Sequence, residues 1–181
     1  MNIVVGPVVR LTLGELEQCE RFVDERNGRH ERKGTDRWKD YSSGAQREAT
    51  KLKRQNLSVV GELAFNRYFG LPMDWSTTSS KREDAVVYLD GVKKTVDVKT
   101  SENILTALNV ELWKKEEARC CDVYVLCVKR SEYEIEIAGW AHAAEVFQEE
   151  RKHEEIYAGT GPFFAFPRGL LKSVKLLRGR P

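Results

Sequence analysis

Long hydrophobic runs are missing from this sequence. No stretch approaches the roughly 20 consecutive apolar residues that a membrane-spanning helix requires. The opening Met1-Asn2-Ile3 has neither a basic flank nor an apolar segment of signal-peptide length, so membrane insertion and Sec-type export are not expected. A charge excess of either sign is missing too. Thirty Lys/Arg stand against 28 Asp/Glu, for a net charge of +2 and a pI of about 8.3. That balance neither demands nor excludes a polyanionic partner, and the position of the charges has to decide. The four cysteines, Cys19, Cys120, Cys121 and Cys127, include no C-x-x-C and no Cys/His cluster at zinc spacing. Vicinal Cys120 and Cys121 can pair only by closing a strained ring, so the expectation is small buried hydrophobes in a reducing cytosol. His30, His142 and His153 are scattered and give no pattern for a Cys-His or Ser-His nucleophile.

What is present is enough to fold. Apolar residues make up 41% of the 181 and charged residues 32%, which supports a packed core and argues against wholesale disorder. The length fits a single domain spanning 1–181. Ile3 to Arg10 reads as a strand, and Thr12-Leu13-Gly14-Glu15 as a capping box opening a helix to about Glu25. Asn27 to Gly44 lacks apolar periodicity and reads as a mobile basic segment. A second helix is expected from Ala45 to Phe69, with Leu52, Val59, Val60, Leu63, Ala64 and Tyr68 toward a core and Gly70 as its stop. Met73 to Arg82 reads as a loop.

The strongest local signal follows. Ala85 to Leu89 and Val92 to Thr100 are strands joined by Asp90-Gly91, a two-residue hairpin turn. Glu111 to Arg119 reads as a helix, and the apolar Asp122 to Val128 as a strand buried on both faces. Glu132 to Ala138 alternates acidic and apolar residues and is expected half-buried near an edge. Trp140 to Arg151 reads as a last helix and Phe163 to Phe166 as a terminal strand. The expected fold class is α/β, a sandwich with a mixed central sheet.

In Thr95-Val96-Asp97-Val98-Lys99-Thr100, pleating places Asp97 and Lys99 on one face, roughly 7 Å apart along the backbone, and Val96 and Val98 on the other. An acid beside a lysine on a strand suits metal-assisted hydrolysis: the carboxylate holds a divalent cation and the ammonium positions water and offsets charge growing on a phosphate. Acid-x-Lys alone says little, since Glu31-Arg32-Lys33 and Glu150-Arg151-Lys152 also occur, both in charged stretches. The plain alternative is an exposed strand ion pair. The hairpin adds weight, because it can fold Asp84 back toward Asp97, and two carboxylates aimed at one spot repel unless a cation lies between them. Glu62 adds a third acid, in the otherwise apolar Val60-Gly61-Glu62-Leu63-Ala64, where Gly61 permits close helix approach.

Glu62, Asp84 and Asp97-Val98-Lys99 together resemble the PD-(D/E)XK nuclease superfamily, the restriction-endonuclease-like fold, and its small phage-type members above all. Ile137-Ala138-Gly139-Trp140 and the Phe163 to Leu171 segment are further echoes, and the resemblance spans roughly Thr12 to Leu177. It implies a restriction-endonuclease-like α/β/α sandwich and a metal-dependent DNA nuclease, more an endonuclease than an exonuclease. By this resemblance Asp84, Asp97 and the Val98 carbonyl would bind Mg²⁺ or Mn²⁺. Glu62 would complete the metal site or hold a metal-bound water, and Lys99 would orient the attacking water. Glu83 stands where the family has proline and is an alternative working acid; Ser101-Glu102-Asn103 replaces the glutamine-tyrosine motif of the exonuclease-like branch.

Eleven Lys/Arg against six Asp/Glu lie between Arg21 and Arg54, with Trp38 and Tyr41 interleaved. Beside a nuclease-like site this mixture suits phosphate contact and base stacking, through Arg32, Lys33, Arg37, Trp38, Lys39, Lys51 and Arg54; the alternative is a solvated connection. The C-terminal Arg168, Lys172, Lys175, Arg178 and Arg180 read as a basic tail, and Trp75, Trp113 and Trp140 as packing aromatics. The expected partner is duplex or branched DNA, in a bacterial or phage-infected cytoplasm, with a homodimer compatible. The rival function is a nucleic-acid-binding protein that keeps the fold without turnover.

Overall fold

In a computed structural model the chain is described over residues 5–33, 45–76, 83–103, 107–116, 120–153 and 162–179. Strands β2 (Ala85–Leu89) and β3 (Val92–Ser101) form the expected hairpin, with Ala85 opposite Val96. Asp90 and Gly91 both adopt positive φ, 51° and 77°, the conformation that lets a two-residue turn match strand twist. β3 outruns β2, so among the described residues its second half has no strand partner on that side. On its other side it pairs in parallel with β5 (Val123–Lys129), Asp97 opposite Tyr124 and Lys99 opposite Leu126.

The five-stranded mixed sheet has the order β1-β6-β5-β3-β2, with β1 (Val8–Arg10) antiparallel to β6 (Glu134–His142). Helices α1 (Leu13–Lys33) and α2 (Ala45–Phe69) cover one face. Val59, Val60, Leu63 and Ala64 of α2 pack there with Val96 and Val98 of β3 and Val123, Val125 and Cys127 of β5. Alternate β5 residues, Tyr124, Leu126 and Val128, point the other way into a second core with Leu108, Val110, Phe164 and Phe166. That face carries a three-stranded sheet of β4 (Leu108–Glu111), β7 (Lys152–His153) and β8 (Phe163–Phe166), plus the short helices α3 (Leu112–Glu116) and α4 (Ala143–Val146). The chain is therefore α/β with a mixed sheet, as expected, but its second layer is largely β where a sandwich would place long helices.

The capping box stands: the Thr12 amide donates to Glu15 Oε2 at 2.7 Å and the Glu15 amide to Thr12 Oγ1 at 3.3 Å. The helix it opens does not stop near Glu25. It continues to Lys33, so residues 27–33 are helical and not a loop; the run has no proline or β-branched residue to break it. Residues 34–44, the rest of the expected mobile segment, lie outside the described residues. α2 ends as expected, at Gly70 with φ 63°, but Leu52 and Tyr68 are exposed and not core.

Three other expectations fail. β6 is not an edge strand: it lies between β1 and β5 and is buried almost throughout, with the carboxylate of Glu136 taken up by Arg130 at 2.5 Å and Arg168 at 2.7 Å. Trp140 does not open a helix. β6 passes through an irregularity opposite Leu126/Cys127, where Gly139 holds φ 149°, and continues to His142 because Trp140 exchanges backbone bonds with Lys172 at 3.1 and 2.8 Å. The basic C-terminus is not a tail up to Gly179: Val174 and Leu177 are buried and Arg178 bridges to Tyr88 on the outer edge of β2. Trp140 is a core residue and Trp75 packs edge-on against Phe22, as packing aromatics should; nothing is described of the Trp113 side chain. Cys19, Cys121 and Cys127 are buried, whereas Cys120 is exposed.

Candidate active site at the open edge of strand β3

β3 presents Val96 and Val98 to the helices, so its intervening residues Asp97 and Lys99 face the second layer. Asp97 is 3% exposed, and its carboxylate meets the Lys99 ammonium at 3.2 Å. Lys99 also reaches Glu111, at the end of β4, at 2.9 Å. Lys114, from α3, closes on the other oxygen of Asp97 in a tight ion pair. A buried carboxylate needs such company, since an unpaired charge out of water is costly.

Asp84 sits just before β2. Its amide donates to the Val96 carbonyl at 2.8 Å, continuing the ladder, and its carboxylate then accepts the Val98 amide at 2.7 Å. A strand residue sends its N–H and C=O to the same side, so the Val98 carbonyl also emerges on this open edge. Burial raises the Asp84 pKa above the ordinary carboxylate value; the bond from Val98 and the nearby charges of Lys114, Lys99 and Arg26 act against it. Asp84, and not the adjacent Glu83, is the acid bonded to β3.

Glu62 comes from α2, which approaches the sheet closely where Gly61 meets Thr100. Its carboxylate accepts the Ser58 hydroxyl at 3.1 Å. Burial first, then the negative charge of Asp84, pushes its pKa up to about 8. Arg26, on α1, and Lys99 pull it back. Burial lowers the Lys114 pKa against the attraction of Asp84 and Glu62. Asp84 and Lys99 thus act on Glu62, Lys99 and Lys114 act on Asp84, and the same two lysines pair with Asp97.

For a divalent cation the donors are right in kind: hard carboxylate oxygens of Glu62, Asp84 and Asp97 and the Val98 carbonyl. An acid whose pKa is raised by burial and by a neighbouring carboxylate, as that of Glu62 is by Asp84, is what a nearby cation relieves. The donors are not drawn together, however. Among the described residues no three His, Cys, Asp or Glu side chains stand close enough to hold an ion, and Asp97 is engaged by two ammonium groups.

Lys114, Glu111 and Arg26 are the residues that sequence reasoning misses here. Each is one charged residue among many, and no spacing relates it to the Asp97 strand. The nucleic-acid candidates are only partly described. Asn27 of α1 donates to Gln55 of α2 at 2.7 Å, which puts Arg32, Lys33 and Lys51 beyond that link at one end of the helix pair. Arg54 is exposed on α2. Arg37, Trp38 and Lys39 lie outside the described residues. No described helix is long and apolar enough to cross a membrane.

An α/β protein with a cluster of acids and lysines at a strand edge, Asp97 buried and the others more exposed, is the class the geometry defines. The chain belongs to the family of unknown function DUF5843, whose model matches residues 1–158. No curated protein and no solved structure matches it.

Proposed function

We propose that this chain is a metal-dependent DNA nuclease of the restriction-endonuclease-like fold, cutting phosphodiester bonds internally. The observation that carries the reading is Asp84 bonded across the edge of β3 to Val98, between Asp97 and Lys99, with the pKa of Glu62 raised by burial and then by the charge of Asp84. The mixed sheet with α1 and α2 on one face supports the fold assignment; the β-rich second layer departs from the full α/β/α arrangement.

Mg²⁺ or Mn²⁺ bound by Asp84, Asp97 and the Val98 carbonyl, with Glu62 beside it, would supply Lewis acidity toward the scissile phosphate. The side chains do the rest. Lys99, anchored by Glu111 and Asp97, holds an attacking water and offsets charge on the phosphate. Glu62, with its raised pKa, is suited to accept or return a proton near neutral pH. Arg32, Lys33, Lys51 and Arg54 are the phosphate contacts of this reading.

The test is incubation of supercoiled plasmid, and separately of a branched DNA junction, with Mg²⁺, Mn²⁺ or EDTA. Cleavage that requires metal and falls by 100-fold or about that in Lys99→Ala and Asp97→Ala is expected; equal cutting by these variants and wild type would sink the assignment. One observation favours a second reading, a DNA-binding protein without turnover: Asp97 is neutralised by Lys99 and Lys114 with no cation needed. DNA binding unaffected by EDTA, with no cutting in any metal, selects that reading.

A further inference from the structure

We infer that the stacked rings of His153 and Phe163 form a platform for an unpaired base of the DNA strand, so that single-stranded or branched DNA is preferred over intact duplex. The inference rests on the proposed nuclease reading and names its substrate class. Pleating divides β8: Phe164 and Phe166 enter the second core, and Phe163 and Ala165 face the other way. In β4 the same alternation buries Leu108 and Val110 and exposes Asn109 and Glu111. The register then sets Glu111 opposite Phe163, and Phe163 opposite His153. Residues directly opposite share a face, so these three side chains form a row across the outer surface of the small sheet, in steps of about 5 Å.

The row begins at the candidate site, where Glu111 holds Lys99 at 2.9 Å and Lys99 meets Asp97. At its other end the His153 imidazole lies nearly parallel to the Phe163 ring, with centroids 5.3 Å apart and an interplanar angle of 12°. His153 is exposed and Phe163 half-buried. Such a pair turns a flat π-face toward solvent, and a nucleobase stacks on that face whatever its identity. A base inside a duplex reaches it only by being unstacked and unpaired, a cost that a single strand or a branch point largely avoids. Two cross-strand steps separate His153 from Glu111, so the base held there belongs to a nucleotide close to the phosphate at Lys99.

Fluorescence anisotropy tests this without turnover, in EDTA and again in Ca²⁺. The ligands are a labelled oligothymidylate, an all-abasic strand of equal length and a blunt duplex; the proteins are wild type, His153→Ala and His153→Phe. Wild type is expected to prefer the oligothymidylate to the other two. His153→Ala should bind the oligothymidylate about tenfold more weakly, and the abasic strand and duplex as wild type does. His153→Phe keeps a ring without the imidazole's charge and should restore the affinity. Oligothymidylate bound equally by wild type and His153→Ala, or no more tightly than duplex by wild type, overturns the inference and leaves the nuclease reading intact. So does an equal loss on the abasic strand, which has no base to stack. No binding of any of the three DNAs by folded wild type overturns both.

Discussion

The Asp84 carboxylate accepts the Val98 amide at 2.7 Å at the level where β2 has not yet begun and β3 has already passed it. An acid thus does the work of a strand, satisfying a backbone donor that the sheet leaves open, and is thereby fixed beside Asp97. Asp84→Ala leaves that amide without its partner and should cost about 1–3 kcal/mol of unfolding free energy. Asp84→Asn keeps an oxygen acceptor and should lose much less stability while removing metal-dependent cleavage. Urea denaturation of the two variants beside plasmid cutting separates the roles; equal stability losses would show that the bond to Val98 does not matter.

Glu62 makes stability depend on pH in an uncommon direction for an acid. Its pKa in the fold, about 8, lies above the ordinary value of 4.5. Below 4.5 both folded and unfolded forms are protonated and nothing changes. Between 4.5 and 8 the unfolded chain has released its proton and the folded chain has not, so stability falls as pH rises, by at most about 1.4 kcal/mol per pH unit. Above 8 the loss is complete. Asp84, also raised by burial, adds to the slope. Glu62→Gln should match wild type near pH 4 and be the more stable protein at pH 8.5, read by thermal melting. Parallel profiles across that range would mean that Glu62 ionises freely in the fold.

Gly61 sets how closely the acid-bearing helix lies on the sheet. A Cβ at this position would overlap Thr100 Oγ1 and stand 2.9 Å from Thr100 Cβ. Gly61→Ala should therefore destabilise by about 1–3 kcal/mol despite alanine's better helix propensity. It should also reduce cleavage, by moving Glu62 away from Asp84. Thr100→Ala, whose lost hydroxyl is buried without a hydrogen-bond partner, should restore part of both in the double variant. Simple additivity of the two single changes would refute the close-approach explanation.

Part of this site is legible in the sequence because local rules govern it. Asp90-Gly91 determines the hairpin, the hairpin determines which acid meets the Val98 amide, and the alternation around Val96 and Val98 determines which side Lys99 occupies. Glu62 stands out as a charge in an apolar helical face. Lys114 and Glu111 are invisible by the same standard: they arrive through the packing of a second sheet onto the first, a long-range event with no local signature. The fold divides the same way. The apolar β5 and the capped α1 start are readable, while Gly139 misleads. A glycine before Trp140 resembles a strand end, yet its positive φ carries β6 onward because Lys172, distant in sequence, pairs with Trp140.

Glu136 and Arg168 carry the last prediction. Glu136 is fully buried in β6, a position its alternating neighbours suggest should be solvated, and Arg168 reaches both of its oxygens, at 2.7 and 2.8 Å. The Gly6 amide adds a bond at 2.9 Å, and Arg130 a second ion pair. The basic C-terminal segment is thereby locked to the central sheet. Arg168→Met removes the cation whose Nη2 meets both oxygens and leaves a buried carboxylate short of charge, which should cost about 3–5 kcal/mol. Arg168→Lys keeps the charge as a compact ammonium of different reach and should lose part of that. Pairing Arg168→Met with Glu136→Gln should recover stability, because the uncompensated charge disappears along with the cation. Chemical denaturation of the four proteins measures the coupling, and a double variant no more stable than Arg168→Met alone would show that the C-terminal segment is held by its apolar contacts, Val174 and Leu177, and not by this pair.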